Sequence, residues 1–263
     1  MTKINEQVKW LYTSDEYLAK FPDLFQEDTP WKLTKIIPVL DRWAGELDSE
    51  QKEVNVLDVG GGAGLILKGV SSYLEDRYSL SVRKQALDLS PGMLEQQQKN
   101  NPDLVRVLNE DIAHTSLADK SVDLTLIIDV LEHVPEPAIA LQELKRISNY
   151  IVFKVPLEDN LLTRVTNLFN QGQTNQHLAM DLGHVNHYNA KTLRNQIQEH
   201  CGILHHLSYT NVFQYEIRRR ARKKTGGGRQ WLVNQFCSGL HHISPAWAAR
   251  MHTDFAMLLV RSD

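Results

Sequence analysis

The run from Val56 to Gly64, Val-Leu-Asp-Val-Gly-Gly-Gly-Ala-Gly, constrains the fold of this chain more than any other stretch. Val56 to Val59 read as a buried parallel strand, because apolar residues fill it with little alternation. Glycines follow at Gly60, Gly62 and Gly64, where a main chain leaving a strand sharply needs positive φ and no crowding. A turn without side chains lets a ligand lie against the backbone and face the start of the next helix.

From Val54 to about Val155, strand-like runs alternate with helical segments, the pattern of a doubly wound α/β sheet. Strands are expected at Val54–Val59, Gln85–Leu89, Leu104–Asn109, Leu124–Asp129 and Tyr150–Val155, with two more at Leu204–Tyr209 and Phe255–Val260. Helices are expected at Trp31–Trp43, Gly64–Leu74, Pro137–Arg146, Ala190–His200 and Trp231–Leu240, and another opens at Pro91. Ser90 and Asn189 have the side chains of helix caps. The interval Tyr73–Lys84 is expected to include a prolonged loop.

At 263 residues the chain is long enough for one large core, so a single domain is expected over 1–263. Its parts are a helical N-terminal lid or extension over 1–45, a ligand-binding core over 54–156, a substrate-side insertion over 157–189, and a basic loop plus helix over 210–253. Trp10, Tyr12, Tyr17, Phe21 and Phe25 stand among Asp15, Glu16, Asp23 and Glu27, too many aromatics for a disordered tail.

A formal net charge of -3, from 29 basic and 32 acidic residues, supplies no global attraction to nucleic acid or anionic membranes. No unbroken apolar run reaches the roughly 18 residues of a membrane span. Cys201 and Cys237 are the only cysteines, and Met1–Glu6 carry no apolar signal segment. A reduced, cytoplasmic protein is expected, monomer or homodimer, with neither membrane nor nucleic acid as partner.

A dinucleotide fold would carry Gly-x-Gly-x-x-Gly after the first strand, whereas the spacing here is Gly60-x-Gly62-x-Gly64. With Asp58 ahead of it, that turn resembles the signature of class I S-adenosylmethionine (SAM)-dependent methyltransferases, in their small-molecule branch. The resemblance continues at Asp88 in Ala86-Leu87-Asp88-Leu89-Ser90, at Asp111 in Asn109-Glu110-Asp111-Ile112, and at Glu132-His133 in Asp129-Val130-Leu131-Glu132-His133-Val134. It implies a Rossmann-like, seven-stranded sheet, mostly parallel with an antiparallel last strand and helices on both faces. It also implies SAM as cofactor, bound by Asp58, Gly60, Gly61, Gly62, Gly64, Asp88, Leu89, Met93, Asp111, Ile112 and Asp129.

Simple chemistry gives several of these residues a reason. A carboxylate at Asp88 accepts from two ribose hydroxyls at once. Asp111 can take an exocyclic amine while the Ile112 amide donates to a ring nitrogen. Asp58 suits an ammonium, directly or through water, where a pyrophosphate would want a helix N-terminus free of acids.

Methyl transfer is a displacement at a sulfonium methyl, which needs alignment, exclusion of water and, for a hydroxyl acceptor, a base. Histidine is the natural base near neutral pH, so His133, His184 and His187 are the catalytic candidates and an oxygen nucleophile the expected acceptor atom. Glu132 reads as an organiser of its loop. His177, Asp181, His184 and His187 have ligand-like spacing, yet a polar lid explains them too, and no metal is expected.

The basic run Arg218–Arg229, with its three glycines Gly226–Gly228, reads chiefly as a solvated mobile loop. Two other functions stay open: an RNA or protein methyltransferase that grips its substrate with this run, and a non-catalytic SAM-binding protein.

Overall fold

The computed structural model describes residues 6, 10–14, 16–20, 26–223 and 228–262. Seven strands form one sheet: β1 (Glu53–Val59), β2 (Ser81–Leu87), β3 (Arg106–Leu108), β4 (Val122–Ile128), β5 (Ser148–Leu157), β6 (Ile203–Tyr209) and β7 (Asp254–Arg261). Their order is β3-β2-β1-β4-β5-β7-β6. All pairings are parallel except those of β7, which runs antiparallel to both β5 and β6. The chain leaves β1 toward β2 and returns to β4 on the other side, so a crevice opens at the carboxyl ends of β1 and β4.

Alternation along β1 sends Val56 and Leu57 into different cores. Val56 joins Ile36, Leu40 and Trp43 of α2 (Thr29–Ala44) and Leu67 and Val70 of α3 (Leu65–Tyr78). Leu57 joins Leu141 and Leu144 of α5 (Pro137–Ile147) and Leu193 and Ile197 of α8 (Ala190–His200). Each of these side chains is buried, and truncating one to alanine costs about 2–5 kcal/mol at such a site. The short helix α1 (Glu16–Lys20) precedes them, and α4 (Pro91–Asn100) lies between β2 and β3.

Both expected caps form. The Ser90 side chain accepts from the Met93 amide at 3.0 Å, and Asn189 and Thr192 make a reciprocal capping box at the start of α8.

Two local expectations are corrected. The interval 73–84 holds no prolonged loop: α3 runs to Tyr78, Ser79 closes it at φ 55°, and β2 begins at Ser81. The end of α3 and the start of β2 face solvent, so their polar residues erased the periodicity that marks such elements. The basic run is not one loop either, since Arg218–Arg222 end the helix α9 (Val212–Arg222) and Arg229 opens α10 (Arg229–Ile243). Arg219 and Lys223 pair with Glu27, and Tyr215 stacks on Trp31 with centroids 4.5 Å apart. Lys224–Gly227 lie outside the described residues, as do Asp15, Phe21, Asp23 and Phe25.

Residues 157–189 form α6 (Leu161–Phe169), α7 (Gln173–His177), a π-turn over Leu178–Leu182 and an extended stretch to Asn189. A last helix, α11 (Pro245–Met251), leads into β7. Among the described residues no helix is long and apolar enough to cross a membrane, and Cys201 and Cys237 are both free and buried.

Candidate active site

A cavity of about 240 Å³ opens at the carboxyl ends of β1, β2 and β4. Ten of the predicted cofactor residues line it: Asp58, Gly60, Gly61, Gly62, Asp88, Leu89, Met93, Asp111, Ile112 and Asp129. Gly64 does not. It caps α3 at φ 74°, and a Cβ there would meet Asn101 Nδ2 at 2.7 Å and Gln97 Cα at 3.1 Å. A glycine is required there by the packing where α3 begins against α4.

Asp58 is 1 % exposed, and its Oδ2 has no hydrogen-bond partner. Burial, and then the neighbouring Asp88 charge, push its carboxyl up to about 7. A Cβ on Gly61 would stand 2.1 Å from that oxygen, so only glycine lets the turn fold over the carboxylate. An orphaned, buried carboxylate oxygen on a cavity wall fits the ammonium of an amino-acid tail.

Asp88 and Asp111 hold their own turns as well as facing the cavity. Asp88 Oδ1 accepts from the Ser90 amide at 2.9 Å, and Asp111 Oδ1 accepts from the Ala113 amide at 3.0 Å. Asn109 Nδ2 donates to the carbonyls of Asp88 and Leu89, at 3.0 and 2.9 Å, tying the ends of β2 and β3 together. Carboxylates fixed in this way present a pre-set surface to ribose and adenine groups.

Asp129 follows β4 with φ 58°, unusual for a residue with a side chain. Its carboxylate pairs with Lys154, on β5, and with Lys32, on α2, at 2.9 Å for the latter. Burial would raise the Asp129 carboxyl, but the two ammonium groups outweigh it and hold the group well below the carboxylate range. Lys154 is itself buried, which pushes it down to about 8, and its Nζ sits 3.4 Å from the centroid of the Phe255 ring. Neither lysine was anticipated. A lone Lys inside the apolar strand Ile151-Val152-Phe153-Lys154-Val155 was the available signal, because a buried cation requires a counter-ion.

Of the three predicted histidines only one lines the cavity. His133 lines the cavity beside Tyr12 and Tyr17. His184 and His187 do not line it: they turn to the two oxygens of Glu158, with Nδ1 at 2.7 and 3.0 Å. Glu158, just past β5, carried no motif by which to find it. None of residues 157–189 is among those lining the cavity; this segment supports the wall from behind. Val185 and Asn186 donate their amides to the Glu132 carbonyl at 2.9 and 3.0 Å, and the Gly183 carbonyl lies 3.2 Å from His133 Nδ1. Glu132 thus organises two loops through its backbone. Of the spaced set His177–His187, His184 and His187 meet at Glu158, and the Asp181 side chain is outside the described residues.

Comparison with known proteins agrees with this geometry. Residues 57–149 match the family model described as methyltransferase domain. No curated protein sequence matched the chain. Among solved structures, a chain of the Haloferax volcanii complex between the Trm112 methyltransferase activator and its assigned methyltransferase superposes with a TM-score of 0.59 at 18% identity, covering 95% of this chain and 97% of that one. Geranyl diphosphate C-methyltransferase from Streptomyces coelicolor gives 0.55 at 9% identity, with coverage of 85% and 74%. The cyclopropane synthase MmaA2 from Mycobacterium tuberculosis gives 0.56 at 13% identity, with coverage of 86% and 83%.

The fold is therefore that of the class I, Rossmann-like methyltransferases. Residues 57–149, the part matched as a methyltransferase domain, hold the cavity carboxylates Asp58, Asp88, Asp111 and Asp129.

Proposed function

We propose that the protein transfers the methyl group of SAM to a small-molecule acceptor, and that the acceptor atom is an oxygen. The observation that carries the cofactor half is the buried, unpartnered Oδ2 of Asp58, on the same cavity wall as Asp88 and Asp111. In this reading Asp58 takes the ammonium, Asp88 the ribose hydroxyls and Asp111 the adenine amine, while the amides of the Gly60–Gly62 turn lie alongside the amino-acid tail. When bound, SAM supplies an activated methyl group, so the chain itself has only to align the acceptor and exclude water.

Tyr12, Tyr17 and His133 add ring surface to a lining that also carries Lys32 and the carboxylates of Asp58, Asp88, Asp111 and Asp129. A cavity of about 240 Å³ with aromatic rings in its wall suits a small acceptor better than a polymer. The oxygen reading is supported by His133 and by the Tyr12 hydroxyl 2.9 Å from its Nδ1, the polar groups placed to orient a hydroxyl. The macromolecular alternative loses support, because Arg219 and Lys223 of the basic run pair with Glu27.

A radiolabelled methyl-transfer screen with phenols, enols, amines and activated carbon acids tests this. Turnover of hydroxyl compounds is expected. Transfer confined to amines or carbon would overturn the oxygen reading, and transfer to RNA or protein alone would overturn the small-molecule reading.

A further inference from the structure

Behind the cavity wall, Glu132, His133 and His184 each place a ligand atom within 4.8 Å of the others'. The supporting contacts set which atoms these are. His133 Nδ1 faces two oxygens, the Gly183 carbonyl at 3.2 Å and Tyr12 Oη at 2.9 Å. A carbonyl can only accept, so a proton on Nδ1 serves that contact and leaves the lone pair on Nε2. That Nε2 is 4.0 Å from Glu132 Oε1. His184 repeats the arrangement: its Nδ1 lies 2.7 Å from the Glu158 carboxylate, which leaves Nε2 as the nitrogen available to a ligand. Its ring meets that of His133 edge-on, with centroids 4.7 Å apart.

A carbonyl on one imidazole and a carboxylate on the other are the outer-shell partners that orient metal-ligating histidines. A second observation points the same way. Glu132 is 1 % exposed and its Oε2 has no hydrogen-bond partner, an expensive condition for a buried carboxyl unless something cationic meets it.

We propose that Glu132, His133 and His184 form a binding site for one divalent transition-metal cation of the zinc type. Two imidazoles and one carboxylate favour zinc, iron(II) or cobalt(II) over magnesium and calcium, which prefer all-oxygen shells. Ligand atoms on a tetrahedral ion with bonds of about 2.1 Å stand about 3.4 Å apart, so the three side chains draw together by roughly an ångström on binding. Because His133 also lines the cavity, the ion lies one side chain away from the acceptor space. The site goes beyond the proposed methyl transfer and is argued without it, although the two share His133.

The test uses the full chain, stripped with a chelator and free of SAM. Calorimetry with Zn²⁺ should give one equivalent bound, and Co²⁺ should produce visible d–d absorption bands. Glu132→Gln and His184→Gln should each lose these bands, while Glu158→Gln should weaken binding by about 10–100-fold. His187→Gln, on the far oxygen of Glu158, should keep them. Circular dichroism and S-adenosylhomocysteine binding check that each variant folds. X-ray absorption at the zinc edge, on the unmutated protein, needs no variant: it should show two imidazoles with oxygen and no sulfur. No stoichiometric binding, a sulfur-containing or single-imidazole shell, or bands that survive both Glu132→Gln and His184→Gln would overturn the site.

Discussion

The two ends of the cavity are built by different means. At the cofactor end, Asp58, Asp88 and Asp111 stand within a few residues of the ends of β1, β2 and β3, so each is placed by the strand that precedes it. At the other end, behind the wall that His133 contributes to, Glu132 and His133 meet the stretch around His184, which Glu158 holds, across about fifty residues of chain. Local geometry fixes the first end, and tertiary contact alone fixes the second. A site of the first kind is written into short motifs, while the second has to be read from the folded protein.

Mutations should separate the two ends, and the largest effect is expected at Asp58. Replacing it with Ala removes one partner of a buried charge pair, which typically costs about 2–5 kcal/mol. Calorimetry with S-adenosylhomocysteine should therefore show binding weakened by at least tenfold; an unchanged affinity would remove Asp58 from the site. Its titration gives a second reading. The folded carboxyl is raised to about 7 from 3.8, so the ligand-free protein loses stability as pH rises between those values and levels off above. Affinity for the ammonium should move the opposite way, rising with pH to about 7, and Asp58→Asn should flatten that profile.

Next in size, Asp88→Ala should weaken S-adenosylhomocysteine by about 1.5–3 kcal/mol, the scale of hydrogen bonds to a charged group. The same calorimetry checks it.

Glu158→Ala attacks the other end. It strands two histidines, so a loss of about 1–3 kcal/mol in denaturant stability is expected. S-adenosylhomocysteine affinity should change by no more than about 0.5 kcal/mol, as for independent sites. A large loss of affinity there would mean that the two ends act as one. The smallest effect should come from Asn189→Ala, which removes the cap of α8 and should cost about 1 kcal/mol by chemical denaturation, with ligand binding unmoved.

Much of the sheet was legible because its central strands are apolar on both faces and end in turn residues. The placement of Asp58, Asp88 and Asp111 at the ends of successive strands followed from the same pattern. What escaped notice has physical causes. The start of β2 was hidden because Ser81–Arg83 lie at the exposed end of their strand. A sequence cannot distinguish a glycine demanded by a neighbouring helix, as Gly64 is, from one demanded by a cofactor. His184 and His187 were expected in the cavity with His133, but Glu158, near in space and invisible to spacing, holds them behind its wall. The partnership of Asp129 with Lys154 joins neighbouring strands through parallel pairing, and no local window contains both.

That last partnership restricts how the chain can diverge. Position 129 must tolerate a left-handed backbone and also neutralise a lysine sealed inside the sheet. Glycine meets only the first demand and glutamate only the second. Drift at 129 and at 154 is therefore coupled: an uncharged replacement at one position should be found in descendants of this protein only alongside a matching loss of charge at the other.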